Sequence, residues 1–261
     1  MNKKTEELFA KAKAENRSLL IGYVTAGFPN KTKTSEIIAA MIAGGVDLIE
    51  VGIPYSDPVM DGPVIQQTSE AAIENGFKVA DVFEIVSASK VPTYVMSYWN
   101  PIEKYGYRNF ARDLSSAGGV GVITPDLTVE ESTDWRVATD EFNIDRTFVV
   151  APSSSDDRLE NVTQNCSGFI YAASLMGVTG ARSALSNDAK NLVSRIRKIS
   201  NLPVAVGLGV SNRDQASEIS QFADGVIVGS AFLKLLIEGK GADAVEGLAS
   251  DLASGVRKSP N

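Results

Sequence analysis

Eight short apolar runs recur along the 261-residue chain, each followed by a turn rich in Gly, Pro or Asp and then by a segment of helical period. Most of the runs are continuously apolar rather than alternating, which suits strands buried on both faces of a parallel sheet. Eight such units in a chain of this length predict a (β/α)8 barrel. The competing doubly wound open sheet usually has fewer strands and a GxGxxG first turn. The first turn here reads Thr25-Ala26-Gly27-Phe28-Pro29.

The strand candidates are 18–24 (SLLIGYV), 46–53 (VDLIEVGI), 93–98 (TYVMSY), 120–124 (VGVIT), 146–150 (RTFVV), 169–173 (FIYAA), 203–207 (PVAVG) and 225–229 (GVIVG). An amphipathic segment at 5–14 predicts an extra N-terminal helix covering the bottom of the barrel. Ile37, Ile38, Met41 and Ile42 form a helical stripe stopped by Gly44-Gly45, and Phe110, Leu114 and Ala117 form another stopped by Gly118-Gly119. Thr128 with Glu131 reads as a capping box opening a helix after the fourth strand, and Ser211 with Asp214 as the same after the seventh. Leu192, Ile196 and Ile199 line the helix before the seventh strand. No linker or low-complexity tract interrupts the pattern, so residues 1–261 are expected to form one domain.

Composition narrows the chemistry. Hydrophobic residues are 44% and charged residues 22%, as in ordinary folded proteins. The net charge of −7 disfavours nucleic acid and anionic membranes as general partners. There is no histidine, which removes Ser-His-Asp triads and most zinc and iron sites, so no metal is expected. The lone Cys166 permits no internal disulfide. The charged N-terminus does not read as a signal peptide, and the longest uncharged stretch, 161–181, is too polar for a membrane span. A cytoplasmic location with a reduced thiol is the expectation. Proton transfer must fall to Asp, Glu, Lys, Tyr or the one Cys.

Barrel function sits at the C-terminal strand ends and the loops that follow them. Glu50 stands in the apolar run of the second strand, where an unpaired carboxylate costs several kcal/mol, on the order of other buried charges. It is either a partly exposed or ion-paired structural residue or a general acid/base of raised pKa. Asp57 and Asp61 follow in a long loop; Asp-Pro and Asp-Gly are also ordinary turn pairs, and spacing alone does not choose. Glycine clusters follow the last three strands at 177–180, 207–209 and 229–230, the last two read as opening helices. Together they favour a phosphorylated small substrate, since barrel phosphate sites use the loops after strands seven and eight and a helix N-terminus. No strand run carries a Lys, which disfavours Schiff-base aldol chemistry.

The segment EVGIPYSDPVMDGPVIQ at 50–66 closely resembles the signature of the tryptophan synthase alpha chain family. Further matches are GYVTAGFP at 22–29, VMSYWNP at 95–101, TPDLTVEES at 124–132, SLMGVTGA at 174–181, VGLGVS at 206–211 and VGSA at 228–231, in order over essentially the whole chain. The resemblance implies a lyase: retro-aldol cleavage of indole-3-glycerol phosphate to indole and glyceraldehyde 3-phosphate. Glu50 matches the family's general acid/base, and Asp61 the second carboxylate, which holds the indole N–H. Tyr23 matches an aromatic residue near the indole, and Tyr171 a residue beside the substrate. Gly180, Gly209, Gly229 and Ser230 match phosphate-holding positions, and Thr179 a loop that closes over the substrate. Asp57 and Pro58 match the segment facing a beta chain. The implied assembly is alpha2beta2, with indole passed to that partner; no cofactor is expected in this chain, pyridoxal phosphate belonging to the beta chain. Two places depart from the family pattern: Ser97-Tyr98-Trp99 leaves open which residue lines the indole pocket, and Leu208 replaces a bulkier residue. Other phosphate-binding barrels fit less well: an indole-glycerol-phosphate synthase wants Lys at strand ends, and a ribulose-phosphate epimerase a metal site with His. A subunit that only activates the beta chain is the competing non-enzymatic reading, tested by indole release.

Overall fold

The computed structural model describes residues 1–173, 182–207 and 209–257. Eight parallel strands close into a barrel in chain order: β1 Leu19–Thr25, β2 Leu48–Gly52, β3 Thr93–Met96, β4 Gly121–Thr124, β5 Asp145–Val150, β6 Ile170–Ala173, β7 Val204–Gly207 and β8 Gly225–Val228. Closure is set by β1 against β8, with Leu19 opposite Gly225 and Gly22 opposite Val228. All eight expected runs are strands, trimmed or shifted by one or two residues at their ends.

The two-residue period of each strand sorts the core into two apolar layers. One layer fills the barrel and includes Leu19, Ile21, Leu48, Ile123, Phe169 and Ile227. The other lies between sheet and helices and includes Leu20, Val24, Ile49, Val51, Val95 and Val122. This explains the continuous apolar runs, because both faces of every strand are buried.

Large and small inward side chains alternate around the barrel. The Tyr23 phenol lies across Gly52 of β2, and the Tyr94 ring across Gly121 of β4; a Cβ at either glycine would sit 2.1 Å from the ring or its hydroxyl. Tyr171 of β6 likewise lies across Gly207 of β7. Glycine at these positions is a packing requirement, since close-packed interiors tolerate no such overlap.

The extra helix spans Lys3–Ala14 and begins two residues earlier than the periodicity indicates, because Asn2 caps it by accepting the Lys4 N–H. Phe9 and Ala12 of this helix join the barrel-filling layer. The helix is also tied down by polar contacts. Asp145 at the start of β5 accepts the Asn2 N–H at 2.8 Å and the Tyr94 hydroxyl at 2.9 Å, and Tyr94 lies 3.2 Å from the Thr5 hydroxyl. Asp145, Tyr94 and Thr5 are all buried, and each finds a partner. Burial raises Tyr94 well above an ordinary phenol, with Asp145 adding to the effect.

Three local expectations are corrected. Thr128 and Glu131 close a turn, their side chains 3.4 Å apart, and the helix after β4 starts at Thr133 behind Ser132. The helix after β7 starts at Arg213 and is capped by Asn212, which accepts the Gln215 N–H; Ser211 instead donates its N–H to the Gln215 side chain. Ile199 lies beyond the end of helix Arg182–Ile196 and is exposed. In the second case a neighbouring polar side chain takes the cap that sequence spacing assigns elsewhere, whereas the Ser132 hydroxyl donates to the Val129 carbonyl and caps no helix N–H. Among the described residues no helix is long and apolar enough to cross a membrane.

Candidate active site

Glu50 lies on β2 with Tyr23 of β1 as its register partner. It is 1% exposed, and neither carboxylate oxygen has a hydrogen-bond partner among the described residues. Burial, reinforced by Asp61, pushes its carboxyl up to about 8. The group is thus largely protonated near neutral pH and close to releasing its proton. A structural ion pair, one of the competing readings from sequence, is not what the geometry shows: among the described residues no cation acts on it.

Asp61 is placed by the loop between β2 and helix Pro63–Glu74. Pro63 at the first helical position and Gly62 as N-cap fix where the loop ends. Gln66 donates its side-chain amide to the Asp61 carbonyl at 2.8 Å, and Tyr98 accepts the Met60 N–H at 2.9 Å. These two bonds hold the backbone on either side of the Asp61 carboxylate. Burial raises Asp61 to about 6, with the facing Tyr98 hydroxyl acting in the opposite direction.

Of the three residues left open after β3, Tyr98 faces the site. Its hydroxyl meets the Asp61 loop, and its ring packs against Tyr55 at 5.0 Å. The Trp99 N–H donates to Asp126, while its ring stacks with Tyr107 and meets Trp135 edge-on. Ser97 is buried and donates to the Tyr98 carbonyl.

Tyr23 and Tyr171 share the site with the two carboxylates. Burial raises both phenols, Asp61 and Glu50 adding to it in each case, while Thr25 beside Tyr23 works the other way. The structure brings Glu50, Asp61, Tyr23 and Tyr171 near one another.

Gly229 follows β8, two residues past Ile227, and its Cβ position would lie 3.2 Å from the Tyr23 Cβ. It caps helix Ser230–Ile237, whose first turn starts at the barrel mouth with Ser230 half-buried. Gly209 follows β7 with φ of +67°, a left-handed conformation that favours glycine. The expectation that the 207–209 cluster opens a helix is corrected: the helix begins only at Arg213, so Gly209 contributes loop backbone. Thr179, Gly180 and Leu208 lie outside the described residues.

Asp57 is exposed at the loop tip and accepts the Ser56 hydroxyl at 2.6 Å, beside half-buried Pro58. The apolar tip is Val59, 78% exposed, with Met60 beside it. The sequence signal for these two is a pair of adjacent apolar residues between the turn residues Asp57-Pro58 and Asp61-Gly62. Among the described residues no three His, Cys, Asp or Glu side chains gather as a metal cluster.

Comparison with known proteins covers the whole fold. The family model described as tryptophan synthase alpha chain matches residues 9–256. The tryptophan synthase alpha chain of Mycobacteroides abscessus is 52% identical over 255 residues, covering 97% of each chain. That of Nocardia farcinica is 52% identical over 252 residues, covering 95% of this chain and 94% of the relative. A chain in a structure of Mycobacterium tuberculosis tryptophan synthase superposes with a TM-score of 0.93 at 45% identity, covering 99% of this chain and 100% of that one. With a described closed barrel, an acid pair at its mouth and matches of this extent, the chain belongs to the tryptophan synthase alpha chain family.

Proposed function

We propose that this chain cleaves indole-3-glycerol phosphate to indole and glyceraldehyde 3-phosphate with Glu50 as general acid/base and Asp61 as the electrostatic partner. The observation that carries the reading is the Glu50 carboxyl, buried and without a hydrogen-bond partner beside a second carboxylate. Family membership supports the reaction class, a lyase of tryptophan biosynthesis.

Cleavage needs a proton delivered to indole C3 and a proton removed from the glycerol hydroxyl next to it. A carboxyl poised near neutrality can do both in turn. Glu50 in its protonated form donates to C3; its carboxylate then accepts the hydroxyl proton as the carbon–carbon bond breaks and the aldehyde forms. Protonation at C3 leaves positive charge on the indole nitrogen. Asp61, ionised above about 6, accepts that N–H and stabilises the charge where it develops. Tyr23 and Tyr171 wall the indole. Backbone N–H groups at Gly209, Gly229 and Ser230 hold the phosphate, the last two at the start of helix Ser230–Ile237, where the helix field favours an anion. Thr179 and Gly180 complete the substrate site in this reading.

The exposed Val59-Met60 tip beside Asp57 and Pro58 fits a docking surface for a beta chain, in an alpha2beta2 assembly that takes the indole onward. Pyridoxal phosphate serves that beta chain, and this chain works without a cofactor of its own. The proposal places the chain in the cytoplasm, as one domain.

The test is indole release from indole-3-glycerol phosphate by the purified chain, with and without a beta chain, beside Asp61→Asn. Release by the wild type and a loss of about 100-fold in the variant support the reading. Stimulation of the beta chain without any indole release would make this a regulatory subunit.

A further inference from the structure

Two tyrosines at the barrel mouth lean the same way round the sheet. Tyr23 of β1 reaches over β2, and Tyr171 of β6 reaches over β7. Each tip rests on a glycine. A Cβ on Gly52 would overlap the Tyr23 hydroxyl and lie 2.5 and 2.6 Å from Cζ and Cε2 of its ring; a Cβ on Gly207 would lie 2.8 Å from the Tyr171 hydroxyl. Neither glycine adopts the left-handed backbone, and both sit in ladder register, Gly52 opposite Thr25 and Gly207 opposite Ala173. Backbone conformation therefore does not call for glycine at either place; the space taken by the phenol does. Gly52 is also the next inward position after Glu50, because side chains alternate along β2. The root of Tyr23 is fixed as well, since its Cβ lies 3.2 Å from where a Gly229 Cβ would be.

We propose that Gly52 is a specificity-determining position: by leaving room for the Tyr23 ring to lie over β2, it sets the width left for the indole between Tyr23 and Tyr171, and so which ring substituents the site accepts. The inference rests on the reaction and the indole walls assigned above and adds a positioning residue to them. Tyr23 is a bar laid from Gly229 to Gly52, with glycine under both ends. A methyl at position 52 would stand where the ring tip lies. With its root held at Gly229, the ring yields by lifting away from β2, toward the indole. Tyr23 is 6% exposed, so no open solvent absorbs that movement. In a close-packed pocket one methylene more or less changes kcat/KM by about tenfold or more, which makes a shift of this size readable as selectivity.

The test runs the reaction in its condensing direction, glyceraldehyde 3-phosphate with indole or with each ring-methylated indole, and reads kcat/KM for the methylindole relative to indole. Tyr23→Leu shortens the bar and opens the space over Gly52; the ratio for at least one methylindole is expected to rise about tenfold. Gly52→Ala alone is expected to lower that ratio by about the same factor and to raise KM for indole. In the Tyr23→Leu background, Gly52→Ala instead fills the vacated space and returns the ratio toward the wild type, so the two changes are strongly non-additive. Folded Gly52→Ala protein obtained only in the Tyr23→Leu background supports the same contact. A glycine with a merely structural role would lower the rate alike for every indole and in both backgrounds. Ratios unmoved by Tyr23→Leu, or a Gly52→Ala effect equal in both backgrounds, overturn the proposal. A wild type that neither releases nor condenses indole overturns the parent reaction, and this inference with it.

Discussion

The floor and the mouth of the barrel are built from the same residue types and use them oppositely. At the floor, a buried carboxylate, Asp145, accepts from the Asn2 backbone and from Tyr94, and the phenol meets Thr5 as well. At the mouth, a buried carboxylate, Glu50, accepts from nothing among the described residues, and the phenols of Tyr23 and Tyr171 bond to neither carboxylate. A satisfied polar network fixes one structure; an unsatisfied one costs stability and leaves donors and acceptors for a ligand. The floor therefore reads as architecture and the mouth as chemistry.

The largest effect that can break this contrast is at Glu50. Glu50→Gln is expected to lower kcat by about 1000-fold, the order supplied by a positioned general acid/base. It should cost no stability, because the carboxylate it removes pairs with nothing among the described residues. A floor substitution should do the reverse. Phe9→Ala is expected to lose about 3 kcal/mol in denaturant unfolding, since a ring of the barrel-filling layer is removed, with kcat unmoved. Asp145→Ala should lose about 2 kcal/mol or more, because the Tyr94 hydroxyl and the Asn2 N–H are left without their acceptor. If either floor variant lowered kcat at full folding, floor and mouth would not be separable.

Smaller, and sharper, is the pH dependence. Folding raises Glu50 from the usual 4.5 to about 8, so the folded chain binds more protons than the unfolded one between those values. Stability contributed by the protonated form is present below the unfolded value and is lost as pH rises toward about 8. Melting temperature is expected to fall over that window in the wild type and less in Glu50→Gln. Activity needs Asp61 ionised and Glu50 protonated, so kcat/KM is expected to be bell-shaped between about 6 and about 8.

The same contrast explains what the sequence made legible. Strands were readable because both faces are apolar, which leaves continuous runs such as LLIGYV that no exposed element would carry. Glu50 was readable as one charge interrupting such a run. The floor network was not, because Tyr94 and Asp145 are 51 residues apart and meet only once the barrel closes. The helix start after β7 is hard to read because Asn212 stands next to Ser211, an equally good capping residue, and the start after β4 because its helix has no side-chain cap, the Ser132 hydroxyl binding the Val129 carbonyl instead. Choosing Tyr98 over Trp99 needed the loop as well: alternation after β3 ends gives no direction, and the Met60 contact does.

The most direct test is a carbon-13 titration of the Glu50 side-chain carboxyl in the ligand-free wild type, from acid to alkaline pH. The account predicts a group still protonated at neutrality that releases its proton at about 8. A carboxyl ionised throughout the neutral range would contradict it, and would mean that a partner pairs with Glu50 as Tyr94 and Asn2 pair with Asp145.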